Sequence, residues 1–294
     1  MTLPDVHALL QAATSGLLLG GLYALSALGL SLVLGVMRLV NLVHGELVVL
    51  GAYLASAMLI SWGTDPLLAL PLIFVATALV GYPAHRLLLA PLAARGEEGP
   101  LLTTFALSII AQTLFIRIFT GDTKSLDRPY TRDSFELGSI AVPTIYLVGF
   151  AISLLVTTCV YLLMTRTNFG RQLRASAEDP AAAAIVGVSV GRVHGLTYAL
   201  GAGLASIGGV LLALCFSFTP TSGTEYLLVG FTIVVLGGLG SVYGTFAGGV
   251  TLGILQAIGA VTFGDGYRTF VGLVIFLAIL ALRPQGLFQK AAVA

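Results

Sequence analysis

From Ala8 to Val36 the chain runs for 29 residues without one Asp, Glu, Lys or Arg. About 20 apolar residues suffice for a helix to cross the hydrocarbon core of a bilayer, so this run reads as a membrane span. Comparable apolar runs recur near 39–61, 66–89, 101–119, 143–164, 195–218, 239–260 and 267–282. A shorter one, 226–237, predicts half a span or a tight full one. Only 9% of the residues are charged, against about 25% in soluble domains, so the chain has too few charges to cover an aqueous surface. These features predict an all-α, polytopic transmembrane helical bundle of about eight spans plus a short or re-entrant segment, forming one transmembrane domain over residues 1–294.

Loop charge sets the expected orientation. With the loops at 85–99 and 166–194 and the C-terminus placed in the cytoplasm, Arg38, Arg86, Arg95, Arg166, Arg171, Arg174, Arg192, Arg283 and Lys290 face inward. Lys124, Arg128, Arg132 and Arg268 then face outward, and the bias follows the positive-inside rule. The N-terminus is expected outside. Parity then requires an odd number of crossings, so 226–237 must cross or pair with another re-entrant piece. No Lys or Arg precedes the first apolar run, which does not match a cleavable secretory signal.

Polar residues interrupt this pattern in a few places. Arg38, Asn41, His44 and Glu46 fall within nine residues between two apolar runs. A bilayer admits such groups only where protein or a cavity satisfies them, so Asn41, His44 and Glu46 are candidates for a helix break at the pathway or a cap for the second span. Gly237, Gly238 and Gly240 interrupt a later run. Broken segments in corresponding halves of a chain predict internal repeats around a central pathway. His44 and Glu46 stand about 200° apart on a helix, so they do not make a shared catalytic or metal face. Cys159 and Cys215 lie in apolar runs and read as buried small hydrophobes, with no disulfide framework and no metal spacing. Gly16–Gly20, Gly244–Gly248, Gly249–Gly253 and Ala205–Gly209 have the spacing that lets helices approach closely in lipid.

The loop at about 166–194 carries signals of its own. Asp179 suits an N-cap, Pro180 the first helical position, and Gly187 a helix end. The helix so bounded is too short to span. It is expected to rest on the membrane or to dock on a cytoplasmic partner, with charged residues at the rim. The residues 120–142 are expected as an irregular outer loop. "GGLGS" at 237–241 lacks the spacing and lysine of a phosphate-binding loop, so no ATP-hydrolysing motif is present.

Four stretches carry a family resemblance: residues 21–53 with the Asn41-x-x-His44-Gly45-Glu46 core and Gly-Ala-Tyr at 51–53, residues 170–211, residues 234–253, and "RPQGLF" at 283–288. The chain resembles the integral-membrane permease subunits of bacterial branched-chain amino acid ABC importers. The resemblance implies a cytoplasmic coupling helix in which Ala181, Ala182, Ala183 and Gly187 match the importer motif. Ala181 stands where that motif has Glu, which leaves Arg171, Arg174, Glu178 and Asp179 as candidates for the charged contact. It also implies a homologous permease partner, cytoplasmic ATP-binding cassette subunits that hold ATP and Mg, and an extracytoplasmic solute-binding protein. No cofactor is expected on this chain and no nucleic-acid partner; the location is the prokaryotic inner membrane. The alternatives weighed are a urea or short-chain amide importer and, more remotely, an intramembrane enzyme or a stand-alone channel or carrier.

Overall fold

The fold is taken from a computed structural model that describes residues 5–93, 96, 98–137 and 140–282. Arg95, Arg283, Lys290 and the "RPQGLF" stretch lie outside the described residues. Among the described residues, eight helices are long and apolar enough to cross a membrane, and the shorter Gly223–Gly237 joins them. In chain order the helices are α1 Val6–Met37, α2 His44–Trp62, α3 Pro66–Ala93 and α4 Glu98–Phe119. A hairpin follows, β1 Ser134–Leu137 and β2 Ile140–Pro143, then α5 Thr144–Arg166. Two short helices, α6 Asn168–Glu178 and α7 Pro180–Ile185, precede α8 Val190–Cys215. The last three are α9 Gly223–Gly237, α10 Val242–Phe263 and α11 Arg268–Leu282.

Glycine pairs fix the directions of the helices. Gly16 and Gly20 of α1 lie against Gly253 and Gly249 of α10, so these two helices are antiparallel. The Gly16–Gly20 and Gly249–Gly253 motifs therefore pair with each other inside one chain. Gly29 and Ser26 of α1 meet Gly201 and Gly208 of α8, again antiparallel. Gly81 and Thr77 of α3 meet Ala202 and Ser206 of α8 in the same sense. Hence α1 runs with α3, α8 runs with α10, and the two pairs oppose each other.

This arrangement is an inverted repeat. The series α1–α2–α3–α4 is matched in the opposite sense by α8–α9–α10–α11. The packing partners correspond: α1 on α10 with α8 on α3, α1 on α9 with α8 on α2, and α2 on α4 with α9 on α11. The turns correspond as well. Gly63 ends α2 at φ +64° and Gly238 ends α9 at φ +88°, a region that favours glycine. Asp65 then caps α3 by accepting from the Leu67 N–H at 2.9 Å, and Ser241 caps α10 by accepting from the Gly244 N–H at 3.0 Å.

The breaks that define the repeat lie at 38–43 and 216–222, where the long helices give way to α2 and α9. Gly237, Gly238 and Gly240 are instead the tight turn between α9 and α10, the counterpart of 63–65. They are expected at the pathway or at a helix break, and this turn is a break between two helices. Their glycines serve close approach: Gly237 abuts Gly244, and Gly240 abuts Gly35 of α1. Because α8 and α10 are parallel, 216–241 must traverse the bundle. With 15 residues, α9 is about 22 Å long, short of the ~30 Å hydrocarbon core. The irregular link 216–222 makes up the remainder.

At one end of the bundle, 120–137 and 140–143 form a cap, in which 120–128 is irregular as expected and 134–137 pairs with 140–143 as strands. Lys124 and Phe218 exchange backbone hydrogen bonds at 2.9 and 2.8 Å. The hairpin places Phe135 opposite Val142, and Gln11 of α1 bonds both the N–H and the carbonyl of Ala141. Arg128 Nε and the Tyr130 hydroxyl donate to Asp65 at 3.1 and 2.9 Å. Cys159, expected buried, is exposed on α5, where the bundle's apolar outer face meets lipid rather than protein. Cys215 is half-buried, and both cysteines are free.

Candidate functional site

The opening polar cluster sits where α2 begins, deep in the bundle. His44 Nε2 bonds the carbonyl of Ser26 at 2.9 Å. Ser26 lies 11 residues before the end of α1, so α2 starts about 16 Å back from that end. The segment 38–43 climbs this distance without regular structure. Arg38 turns the chain at φ +51° and stays exposed, while Asn41, His44 and Glu46 are all buried.

Each of the three reaches a different helix. The Asn41 Oδ1 accepts from the Tyr198 hydroxyl of α8 at 3.5 Å, His44 bonds α1, and Glu46 Oε1 accepts from Ser108 of α4 at 3.3 Å. Asn41 precedes the helix and makes no side-chain cap, so it neither shares a helical face with His44 nor caps α2. His44 and Glu46 point to different helices, as their spacing predicts. Gly45, between them, lets α2 lie directly on Gly223, the first residue of α9. The two short helices of the repeat thus meet at their N-terminal ends. No group of three or more His, Cys, Asp or Glu is gathered into a metal-binding arrangement among the described residues.

The second candidate site lies at the end of the bundle opposite the hairpin. Asp179 caps α7, accepting from the N–H groups of Ala181 and Ala182 at 2.9 and 3.0 Å. At the other end, Gly187 takes φ +89°. Its N–H donates to the Ala184 carbonyl at 3.1 Å, and the Val188 N–H donates to the Ala183 carbonyl at 3.0 Å. These paired bonds are a Schellman closure, which requires the left-handed residue that glycine supplies. The local signals Asp179, Pro180 and Gly187 therefore set both ends of this helix.

The candidate coupling residues divide by position. Ala181 and Ala182 are exposed, whereas Ala183 is buried and packs inward, so it offers no contact surface. Glu178 is exposed. Arg171 is exposed and donates to Asn168 Oδ1. Arg174 donates to the Met164 carbonyl at the end of α5, so it ties α6 to that helix. Ile185 and Val186 were not singled out in the sequence, yet they are 87% and 78% exposed at the tip of α7. Their signal was position: they are the only large apolar residues between Asp179 and the helix end. Helix α6 was also unforeseen. It buries Leu173 and half-buries Phe169 and Ala177, a spacing of four that places all three on one face.

Comparison with known proteins follows this geometry. Residues 12–280 match the family described as "Branched-chain amino acid transport system / permease component". The chain is 29% identical to the high-affinity branched-chain amino acid transport system permease protein BraD of Pseudomonas aeruginosa, over 98% of each chain. It is 27% identical to the corresponding LivH permease protein of Salmonella typhimurium, over 96% of each. A probable branched-chain amino acid transport permease protein LivH of Methanocaldococcus jannaschii is 28% identical over 90% of this chain and 88% of its own. No solved structure matches the chain.

Proposed function

Since the chain belongs to the family of branched-chain amino acid transport permease components, we propose that it forms the translocation pathway of an ATP-driven importer for branched-chain or other small amino acids. An extracytoplasmic binding protein delivers the substrate, a homologous permease pairs with this chain, and cytoplasmic cassette subunits hold ATP and Mg. In this reading the hairpin end faces outward and the α6–α7 end faces the cytoplasm. The N-terminus lies outside and the C-terminus inside. The charge bias of the loops supports that orientation, and the direction of the helices is compatible with it.

The observation that carries the reading is the tip of α7. Two large apolar side chains, Ile185 and Val186, stand exposed on a helix whose ends are both closed by local bonds. Exposed apolar surface on a rigid polar-rimmed element suits a docking knob, with Arg171, Glu178 and Arg192 at the rim. Force applied there reaches the bundle along short paths. Helix α6 packs on α1, α5 and α8, and α7 leads into α8 within a few residues. Replacing Ile185 by Asp is expected to abolish most substrate-stimulated ATP hydrolysis in the reconstituted complex. Expression of the permease should be unchanged, because the side chain is exposed. Full stimulation in Ile185→Asp and Val186→Asp would remove this helix from the coupling path.

A further inference from the structure

We infer that the cavity at the α8–α9 link is a subsite for a zwitterionic α-amino acid, in which Arg268 takes the carboxylate and Glu225 the ammonium. The inference rests on the importer reading above and deepens it, by naming residues of this chain that touch the substrate.

The cavity has a volume of about 500 Å³, within the range of ~300–1,000 Å³ typical of small-molecule sites. It lies where α8 has ended and α9 has yet to begin, so backbone is irregular on one wall. Ser217 and Ser222 come from that link, Glu225 and Tyr226 from the first turn of α9, and Tyr23 from α1. Asp265 and Arg268, at the start of α11, complete it. All of these belong to the hairpin end or to the upper part of the bundle beneath it, the side from which substrate arrives.

The charges there face the open cavity: Glu225 and Asp265 are exposed and Arg268 is half-buried, and they pair only weakly with other side chains. Arg268 Nη2 stands 3.5 Å from Asp265 Oδ1, at the outer limit of a hydrogen bond. Glu225 forms no ion pair among the described residues; its one contact is the Thr269 hydroxyl, also at 3.5 Å. Neither the Tyr23 nor the Tyr226 hydroxyl has a hydrogen-bond partner among the described residues. A guanidinium and a carboxylate that face one cavity without pairing to each other are both available to a ligand. Guanidinium matches carboxylate geometry in two-point contact. The remaining walls, Phe216 and the rings of Tyr23 and Tyr226, suit an apolar side chain.

The charges of the cavity favour a ligand that carries both signs. A free anion meets two carboxylates, and a divalent cation meets a guanidinium. A molecule with one positive and one negative group on neighbouring atoms meets a partner for each.

The test uses the complete complex in right-side-out vesicles, with Ser217→Cys introduced beside Cys159→Ser and Cys215→Ser. Ser217 is exposed, so the new thiol reports on the cavity. A trimethylammonium-ethyl methanethiosulfonate should label it several-fold faster from outside than the sulfonatoethyl reagent. L-Leucine and L-valine should slow labelling, while leucinamide and isocaproate, each lacking one charge, should not. Adding Arg268→Gln should raise the protecting concentration at least tenfold, with Arg268→Lys in between. Labelling absent from outside, equal protection by leucinamide, or no protection by either amino acid would overturn the inference. Uptake of labelled leucine by unmodified vesicles is measured alongside. Uptake without protection refutes the subsite alone; its absence refutes the importer reading instead. Should Arg268→Gln fail to assemble, the protection measured with Arg268 intact still decides the matter.

Discussion

Replacing Gly45 by Ala should weaken the fold, although alanine is the better helix former. Gly45 lies in the first turn of α2, against the first residue of α9. A methyl group built there stands 1.9 Å from the Gly223 carbonyl oxygen and 2.6 Å from its carbon. Both atoms are backbone, so no rotamer change relieves the contact. The helices must part by about 1.5 Å to restore ordinary van der Waals distance. Overpacking of this kind costs about 1–3 kcal/mol. The propensity gain of Gly→Ala returns up to about 1 kcal/mol. A backbone contact as short as 1.9 Å falls in the upper part of the overpacking range, about 2–3 kcal/mol, so the net loss is about 1–2 kcal/mol, roughly 5- to 30-fold in the folded population. Gly191 provides the control: it lies in the first turn of α8 with nothing within 4 Å of an added methyl group. Gly191→Ala should therefore be neutral or slightly stabilising. Unfolding of both variants in the same detergent, followed by loss of the monodisperse peak on heating, compares them directly. If Gly45→Ala is as stable as the parent, or the two variants shift together, the close approach of α2 and α9 is not a structural requirement.

Three further perturbations follow from single contacts. Asp65→Ala removes a helix cap and two side-chain bonds to the outer segment, at a cost of about 2 kcal/mol, and limited proteolysis near 120–133 should accelerate. The Tyr130 hydroxyl is pushed above the ordinary phenol range by burial and by its bond to Asp65; its contribution is intact below about pH 10 and is lost as pH rises through the folded value, so alkaline proteolysis should increase in the parent and change less in Tyr130→Phe. Asp179→Ala should cost about 1 kcal/mol, read as faster amide exchange confined to 180–187.

The parts of the fold that the sequence makes legible are those governed by local rules. Asp179, Pro180 and Gly187 bound α7 because capping acts within four residues. The brevity of α9 is visible in the run 226–237. The second break of the repeat was not visible. Its first copy announces itself with Arg38, Asn41, His44 and Glu46, but its second, "FSFTPTS" at 216–222, carries no charge. There the backbone is met by small hydroxyls, as when the Thr219 N–H donates to Ser222 Oγ at 3.0 Å. The glycines at 237–240 stand out more in the sequence, yet they form only a turn. The hairpin at 134–143 shows no clear apolar alternation and gains its order from Gln11, 130 residues away.

The polar cluster at 41–46 lies beside a helix start placed inside the bundle, and its side chains bond neighbouring helices rather than cap that start. Every helix N-terminus leaves backbone donors without partners, and lipid supplies none. A helix that begins at the membrane surface leaves them to water. Helix α2 begins some way below it, so its surroundings must be protein, and the three side chains beside that start each engage a different neighbour. Pairing α2 with α9 end to end has a second requirement. Lipid gives helices no hydrophobic reason to associate, so contact depends on close packing. Gly45 and Gly223 allow backbone to touch backbone there, and Gly209 does the same for α8 against Val48 of α2. Larger residues would hold the short helices apart and open the core to water or lipid. The same geometry leaves the cavity beside the α9 start as the place where the second repeat has not closed on itself. The repeats are equivalent in backbone but not in side chains: the first break carries the buried Asn41, His44 and Glu46 and a cavity of about 520 Å³ beside Arg38 and Glu98, whereas the second carries a cavity of about 500 Å³ beside Ser222 and Glu225. On the importer reading, the cavity of the second break opens at the end from which substrate arrives, and that of the first at the opposite end.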